Sequence, residues 1–186
     1  IFKYALLTVQ RALASSGLQI TPALAPRVAV TYSSAVGGLD AVLDADRKLI
    51  AHDALPPPCT NPNSCINMVS GKVSMFTGAT GPIVSTVTAC ATGITSMIAG
   101  AMLLELNRAD VVICGAVDFP LVAPIVAGFA TMNGAYTPKE GQPEEEPASA
   151  SRPFSIHRRG FVAAEGAGCV VLASEAFAKA HGLTHR

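Results

Sequence analysis

Cys90 lies in the hexapeptide Thr88-Ala89-Cys90-Ala91-Thr92-Gly93, where residue type and position together point to nucleophilic chemistry. The preceding run, Ile83 to Thr88, is rich in strand-favouring residues and follows the turn signal Gly81-Pro82. After the cysteine, Ile94, Met97, Ile98, Ala101, Met102 and Glu105 recur at three- and four-residue steps, so the apolar ones share a helical face. Cys90 is therefore predicted where a strand ends and a helix begins. At such a junction, unpaired amides and the positive end of the helix dipole favour the thiolate, which is the nucleophilic form. A sharp strand-to-helix turn also lifts the side chain clear of the sheet, as in hydrolase nucleophile elbows. The competing reading of the same residue is a small buried hydrophobe.

The other reactive residue types offer less. Cys59, Cys65, Cys114 and Cys169 bring the cysteines to an odd number with no C-x-x-C pair, which signals neither a disulfide framework nor a zinc site. Cys114 and Cys169 fall in apolar strand-like runs and read as core, while Cys59 and Cys65 flank a Pro/Asn loop and read as structural. His52, His157, His181 and His185 read as surface residues. The run Glu144-Glu145-Glu146 reads as a solvated loop. Gly166-Ala167-Gly168 lacks the third glycine and the βαβ opening of a dinucleotide fingerprint. A cysteine hydrolase on another α/β fold would call for a motif such as G-x-S-x-G, which the sequence lacks.

These residues must be positioned by a chain of 186 residues, of which half are hydrophobic and 14% charged. That apolar balance implies that some of the surface is covered by something else. A formal net charge of zero gives no electrostatic footprint for nucleic acid or an anionic membrane. The longest apolar run, Val111 to Ala130, is broken by Asp118, Pro120 and Pro124, so no membrane span is expected. Ile1-Phe2-Lys3-Tyr4 lacks the pattern of a signal peptide, which points to the cytoplasm.

Patterning predicts a helix over Tyr4 to Ser16 with Gly17 as its stop, and a strand at Arg27 to Thr31. A second helix opens at Gly37-Gly38 and runs to about Leu49. Ala54 to Asn63 is a loop, and Ser64 to Phe76 a helix. The strand from Ile83, the helix after Cys90 and the strand Val111 to Cys114 form a βαβ unit with its strands parallel. A loop from Thr137 to Ser151 follows. Gly160 to Val162 and Cys169 to Leu172 are expected to pair, and Ser174 caps a last helix toward His181-Gly182. The class is α/β.

The motifs Gly81-Pro82, Thr88 to Gly93, Ala109-Asp110, Gly128-Phe129, Ser151-Arg152-Pro153-Phe154, Arg159-Gly160-Phe161-Val162 and Glu165-Gly166-Ala167-Gly168 occur in one order along the chain. In that order they resemble β-ketoacyl-(acyl carrier protein) synthases, the elongating type I/II enzymes and related polyketide ketosynthases of the thiolase superfamily. Asn67-Met68 and Gly71 fit the same pattern. The resemblance implies a thiolase-like fold, mainly its first half, with a mixed sheet and helices on both faces. It implies that Cys90 takes an acyl group from a carrier-protein thioester and then passes it to the carbanion left by decarboxylation of malonyl-carrier protein. It also implies substrates carried on phosphopantetheine, no bound cofactor or metal, an acyl carrier protein partner, and a homodimer or a heterodimer with a ketosynthase-like chain. Val36 and Phe129 fall where the family lines or gates the acyl pocket, with ordinary core as the alternative for both. Thr60 falls where the family's dimer-partner loop reaches the neighbouring pocket.

Departures from the pattern set the limits of that expectation. The family's two catalytic histidines, on motifs of the form H-G-T-G-T and N-x-x-x-G-H, have no counterpart here, and neither does its opening strand. Residues 1–186 thus read as a partial N-terminal-half domain in which condensation depends on further sequence or a partner chain. A non-condensing acyltransferase, or a scaffold subunit of a ketosynthase heterodimer, is the alternative. Ser155, Arg159, Val117-Asp118 and Tyr32-Ser33-Ser34 also depart from the common pattern, with Asp118 standing where glutamate is more usual. They favour a specialised-lipid or polyketide role over a housekeeping one.

Overall fold

The computed structural model describes residues 1–136, 141 and 146–183. His185, Glu144 and Glu145 lie outside the described residues, as does most of the loop expected from Thr137. The chain forms two compact units, the first of residues 1–118 with 166–186 and the second of residues 119–165.

The first unit is built on a three-stranded sheet of order β1-β2-β3, with β1 at Val28–Ser33, β2 at Val111–Asp118 and β3 at Gly166–Ala173. β1 and β2 are parallel, pairing Val28 with Val111 through Ser33 with Ala116, and β3 is antiparallel to β2. Every residue of β1 is buried, as are the first five of β2. This is the signature of strands covered on both faces. The sheet is mixed and has helices on both sides, as the class expectation required.

One face is covered by α1 (Phe2–Ser16) and α4 (Met68–Thr77), the other by α5 (Thr92–Glu105). The period-2 alternation of β1 assigns its side chains accordingly. The Tyr32 hydroxyl meets Thr8 Oγ1 of α1 at 2.8 Å, and the next residue back, Thr31, faces α5 at Gly100. α1 ends at Gly17 in the left-handed conformation, as expected. α2 (Leu39–His52) runs three residues beyond the expected end at Leu49, because Asp53 rather than Leu49 takes the left-handed cap.

α5 splits its apolar residues, with Met97, Leu103 and Leu104 packed against the core. Its buried residues are Thr92, Ser96 and Gly100, while Ile94, Ile98 and Met102 are exposed. Small residues on the sheet side permit close approach. A Cβ at Gly100 would lie 2.5 Å from Cys114 Sγ, and one at Gly93 would lie 3.6 Å from the Cβ of Ala116.

Several local expectations are corrected. The run Ile83 to Thr88 does not form a strand. It makes one parallel bridge to the sheet, Val30 with Ile83, secured by Val30 N–H to Pro82 O and Val84 N–H to Val30 O, and a local one, Thr88 with Cys90. Pro82 has no N–H to extend the ladder, and the chain departs toward the Cys90 turn. Ile83 and β2 are both parallel to β1 but flank it on opposite sides rather than pairing with each other. The helix expected from Ser64 starts at Met68, because Thr60–Ser64 closes a short helix of its own, α3, inside the supposed loop.

In the second unit, Gly160 to Val162 does not pair with the Cys169 strand. Phe161 bridges Ala135, and β3 pairs with β2 instead. This unit also contains α6 (Ala123–Thr131), which no amphipathic pattern announced, and α7 (Pro147–Ala150). α8 (Glu175–Ala180), back in the first unit, is capped by Ser174, whose Oγ accepts the Phe177 N–H at 3.3 Å as expected.

Candidate active site

Cys90 is exposed and sits two residues before the start of α5, at the apex of a tight turn. Ala89 has φ +51°, the left-handed region that a non-glycine residue enters at a cost of about 1–2 kcal/mol. One buried hydroxyl offsets that cost. Thr92 Oγ1 accepts the Thr88 N–H at 3.1 Å and donates to Ala89 O at 2.7 Å. Backbone bonds from Ala91 N–H to Thr88 O at 3.1 Å and from Thr92 N–H to Ala89 O at 3.0 Å close the same turn. On the outer side, the Thr88 and Thr95 hydroxyls meet at 2.7 Å, and Thr95 Oγ1 also bonds Ala91 O at 3.1 Å. The chain thus folds as an elbow that presents the thiol to solvent. The reading of Cys90 as a buried apolar residue is excluded by its exposure.

The elbow lies at the carboxyl end of the parallel strands, because Gly93 of α5 packs over Ala116 near the end of β2. In open α/β sheets this is the edge where ligands gather. The chain leaving β1 reaches the same edge in the turn Ser34 to Gly38. Asp118 Oδ1, at the end of β2, accepts three hydrogen bonds there, from Ser34 Oγ at 2.8 Å, Ala35 N–H at 2.9 Å and Val36 N–H at 3.0 Å. Ser34 Oγ in turn accepts the Gly37 N–H at 2.7 Å. Val36 is half-buried at the centre of this turn.

The far side of the turn is pressed against α3. Gly37 has φ +71°, and a Cβ on it would come within 2.8 Å of Ser64 O. At Gly38 a Cβ would fall 1.9 Å from Asn63 O, so only glycine fits. Thr60 is the first residue of the helix that makes this contact, its N–H bonded to Pro57 O at 2.9 Å. The structure therefore brings the segments of Cys90, Val36 and Thr60 to one edge of the sheet. Phe129 belongs to the second unit, on α6, where its ring meets Phe161 edge to face at 5.0 Å between centroids.

The remaining cysteines divide cleanly. Burial pushes the Cys114 thiol up to about 11 and the Cys169 thiol up to about 12, consistent with packing roles. Cys59 and Cys65 are free and exposed at the two ends of α3. His52, His157 and His181 are exposed, and His181 stacks on Phe177 at 4.0 Å. Among the described residues no cluster of His, Cys, Asp or Glu is suited to hold a metal ion, and no helix is long and apolar enough to cross a membrane. Sequence reasoning missed the anchoring roles of Thr92 and of Asp118. A threonine two residues after a cysteine at a helix start is the signal that was available for the first.

Comparison with known proteins bears on this arrangement. The family described as Beta-ketoacyl synthase, N-terminal domain, matches residues 1–178. The 3-oxoacyl-(acyl-carrier-protein) synthase 2 of Coxiella burnetii is 34% identical over 189 residues, covering 98% of this chain and 43% of the relative. Its counterpart in Rhizobium meliloti is 37% identical over 156 residues, covering 82% and 36%. A crystal structure of a β-ketoacyl synthase from Burkholderia phymatum superposes with a TM-score of 0.84 at 27% identity, over 97% of this chain and 43% of that one. A chain from a type II polyketide synthase complex, an acyl-carrier protein with its ketosynthase bound to the hexaketide, shares the fold at a TM-score of 0.88 and 22% identity, over 98% and 45%. The chain spans about two-fifths of the length of these curated relatives.

Proposed function

The chain belongs to the β-ketoacyl synthase family, matching its N-terminal domain, and from that premise we propose that Cys90 is the acyl acceptor of a β-ketoacyl-(acyl carrier protein) synthase. The observation that carries this reading is the exposed thiol at the apex of a strained, hydroxyl-braced elbow ahead of α5. In the first half-reaction the Cys90 sulfur, as thiolate, attacks the carbonyl carbon of an acyl group held as a thioester on the phosphopantetheine of a carrier protein. The carbonyl electron pair moves onto oxygen, where the Cys90 N–H at the helix start serves as one donor. Collapse of this adduct breaks the bond to the carrier sulfur, which leaves as a thiolate and is protonated.

In the second half-reaction malonyl-carrier protein loses CO₂, leaving the bond pair on its α-carbon. That carbon attacks the Cys90 thioester, a carbon–carbon bond forms, and the Cys90 thiolate is released. The histidines that assist decarboxylation are supplied by polypeptide outside these 186 residues or by a partner chain, in a homodimer or a heterodimer with a ketosynthase-like subunit. Residues 1–186 act as the N-terminal-half domain of that assembly, a cytoplasmic enzyme of fatty-acid or polyketide-type synthesis with no bound cofactor. Val36 lines or gates the acyl pocket, and Thr60 reaches toward a neighbouring pocket. A scaffold subunit has no use for an exposed thiol at this position, which weighs against that alternative.

Incubating the full protein with acyl-loaded carrier protein and mapping the adduct by mass spectrometry tests the reading. An acyl mass on the Cys90 peptide is expected. Label on another cysteine, or on none, overturns it.

A further inference from the structure

We propose that Asp118, acting through Ser34, is a positioning residue that fixes the Val36 turn and thereby sets which acyl chain lengths Cys90 accepts. The inference rests on the reading of Cys90 as acyl acceptor and of Val36 as pocket wall.

A single carboxylate oxygen gathers three donors from three consecutive residues, Ser34, Ala35 and Val36. Ser34 passes the anchorage on to Gly37 through its own oxygen. Hydrogen bonds to an ionised acceptor are shorter and stronger than neutral ones, and this set fixes the amides on both sides of Ala35. From the opposite side, Gly37 and Gly38 abut the backbone of Asn63 and Ser64 with no room for a Cβ. The turn is therefore pinned between a carboxylate and a helix end, and the Val36 backbone has nowhere to shift. Its β-branched side chain adds a stiff χ1. A wall built in this way has a defined position rather than an adaptable one.

The elbow at Cys90 is braced separately. Its hydrogen bonds run among Thr88, Ala89, Ala91, Thr92 and Thr95, and Asp118 is a partner in none of them. Loosening the Val36 turn should thus alter the fit of the acyl chain without disabling the thiol. Asp118 also stands one methylene short of the family's commoner glutamate. A longer side chain at the same place would deliver its oxygen to a different point.

The test uses the full polypeptide that carries this chain, as wild type and as Asp118→Ala, Ser34→Ala and Asp118→Glu. Initial rates of Cys90 acylation are measured with carrier protein loaded with acetyl or decanoyl groups, and Cys90 alkylation by iodoacetamide is followed in parallel. Asp118→Ala and Ser34→Ala are expected to move the ratio of the two acylation rates about tenfold toward unity, the size of a one-methylene discrimination, while alkylation stays within about twofold. Asp118→Glu, which keeps the carboxylate, is expected to recover part of the ratio.

An unchanged ratio in both alanine variants overturns the proposal. So does a fall in both acylation rates matched by an equal fall in alkylation, which would make Asp118 a support of the fold alone. Should Asp118→Ala not fold, Ser34→Ala removes only one hydroxyl and decides the matter by itself. Wild-type protein that takes no acyl group on Cys90 overturns the proposed function, a failure distinct from acylation with an unshifted ratio.

Discussion

Thr92 Oγ1 lies 3.1 Å from the Thr88 nitrogen, so one buried hydroxyl of α5 reaches back across Cys90 and holds the residue that precedes the elbow. The same oxygen donates to Ala89 O, the carbonyl of the residue in the left-handed conformation. Replacing Thr92 with the isosteric valine removes the acceptor of the Thr88 N–H, while the Ala89 carbonyl keeps only the Thr92 N–H. The expected cost is about 1–3 kcal/mol. Cys90 acylation should slow by about tenfold, since misplacement of an attacking atom is costly. Thr92→Ser should preserve most of the rate. Acylation kinetics of the two variants check this.

Cysteine reactivity should follow exposure. In the native protein at neutral pH, iodoacetamide should modify Cys90, Cys59 and Cys65 ahead of Cys114 and Cys169, whose thiols burial holds at about 11 and about 12. Cys90→Ser should abolish the acyl adduct and leave alkylation of Cys59 and Cys65 intact. Peptide mapping after timed alkylation separates these sites.

The approach of α5 to the sheet depends on Gly100. A methyl group there would meet Cys114 Sγ at 2.5 Å, Val112 Cγ1 at 3.2 Å and Thr31 Oγ1 at 3.3 Å. Gly100→Ala should destabilise the fold by about 1–3 kcal/mol, in spite of alanine's better helix propensity. Combining it with Cys114→Ala should recover part of the loss. A double-mutant cycle on thermal unfolding measures the coupling.

Acid sensitivity should include a contribution from Asp110. Its carboxylate takes Nε of Arg27 at 3.0 Å and Nη2 at 2.7 Å, and the Arg27 guanidinium holds its carboxyl below the usual carboxylate range. A folded-state value depressed below the unfolded one contributes stability above the unfolded pKa, about 4 for aspartate. That contribution disappears as pH falls through the folded value. Asp110→Asn should therefore lower the melting temperature at neutral pH, and the gap from wild type should close on acidification. The pair is about one-third exposed, at 36% and 32%, so salt should narrow the gap as well. Melting curves across pH and ionic strength test the sign.

What could be read from the sequence was local. The helix start after Cys90, the stop at Gly17 and the cap at Ser174 each depend on a few adjacent residues and stand where patterning put them, whereas the strand expected to lead into Cys90 is absent. The Asp118 anchorage joins residues separated by 82 positions, which no window of sequence displays. Partner choice failed for the same reason: Cys169 seemed to belong with nearby Phe161, whereas β3 pairs with β2 across the whole second unit. α6 escaped because Ala123–Thr131 is apolar on every side and has no period to detect. In α5 the period was visible but its sense was not, since the fully buried positions are the small residues Thr92, Ser96 and Gly100, while Ile94, Ile98 and Met102 are exposed.

Asp118 and Gly166 are cross-strand neighbours in the β2–β3 ladder, so residues 119–165 leave and rejoin the first unit at adjacent points. Topologically, β2 and β3 are a hairpin whose tip has grown into a body of its own. A tip can lengthen, shorten or be exchanged at little entropic penalty, because loop closure depends only weakly on length. The sheet and the cysteine elbow are complete without residues 119–165, so that insertion can change in length without re-registering a single strand.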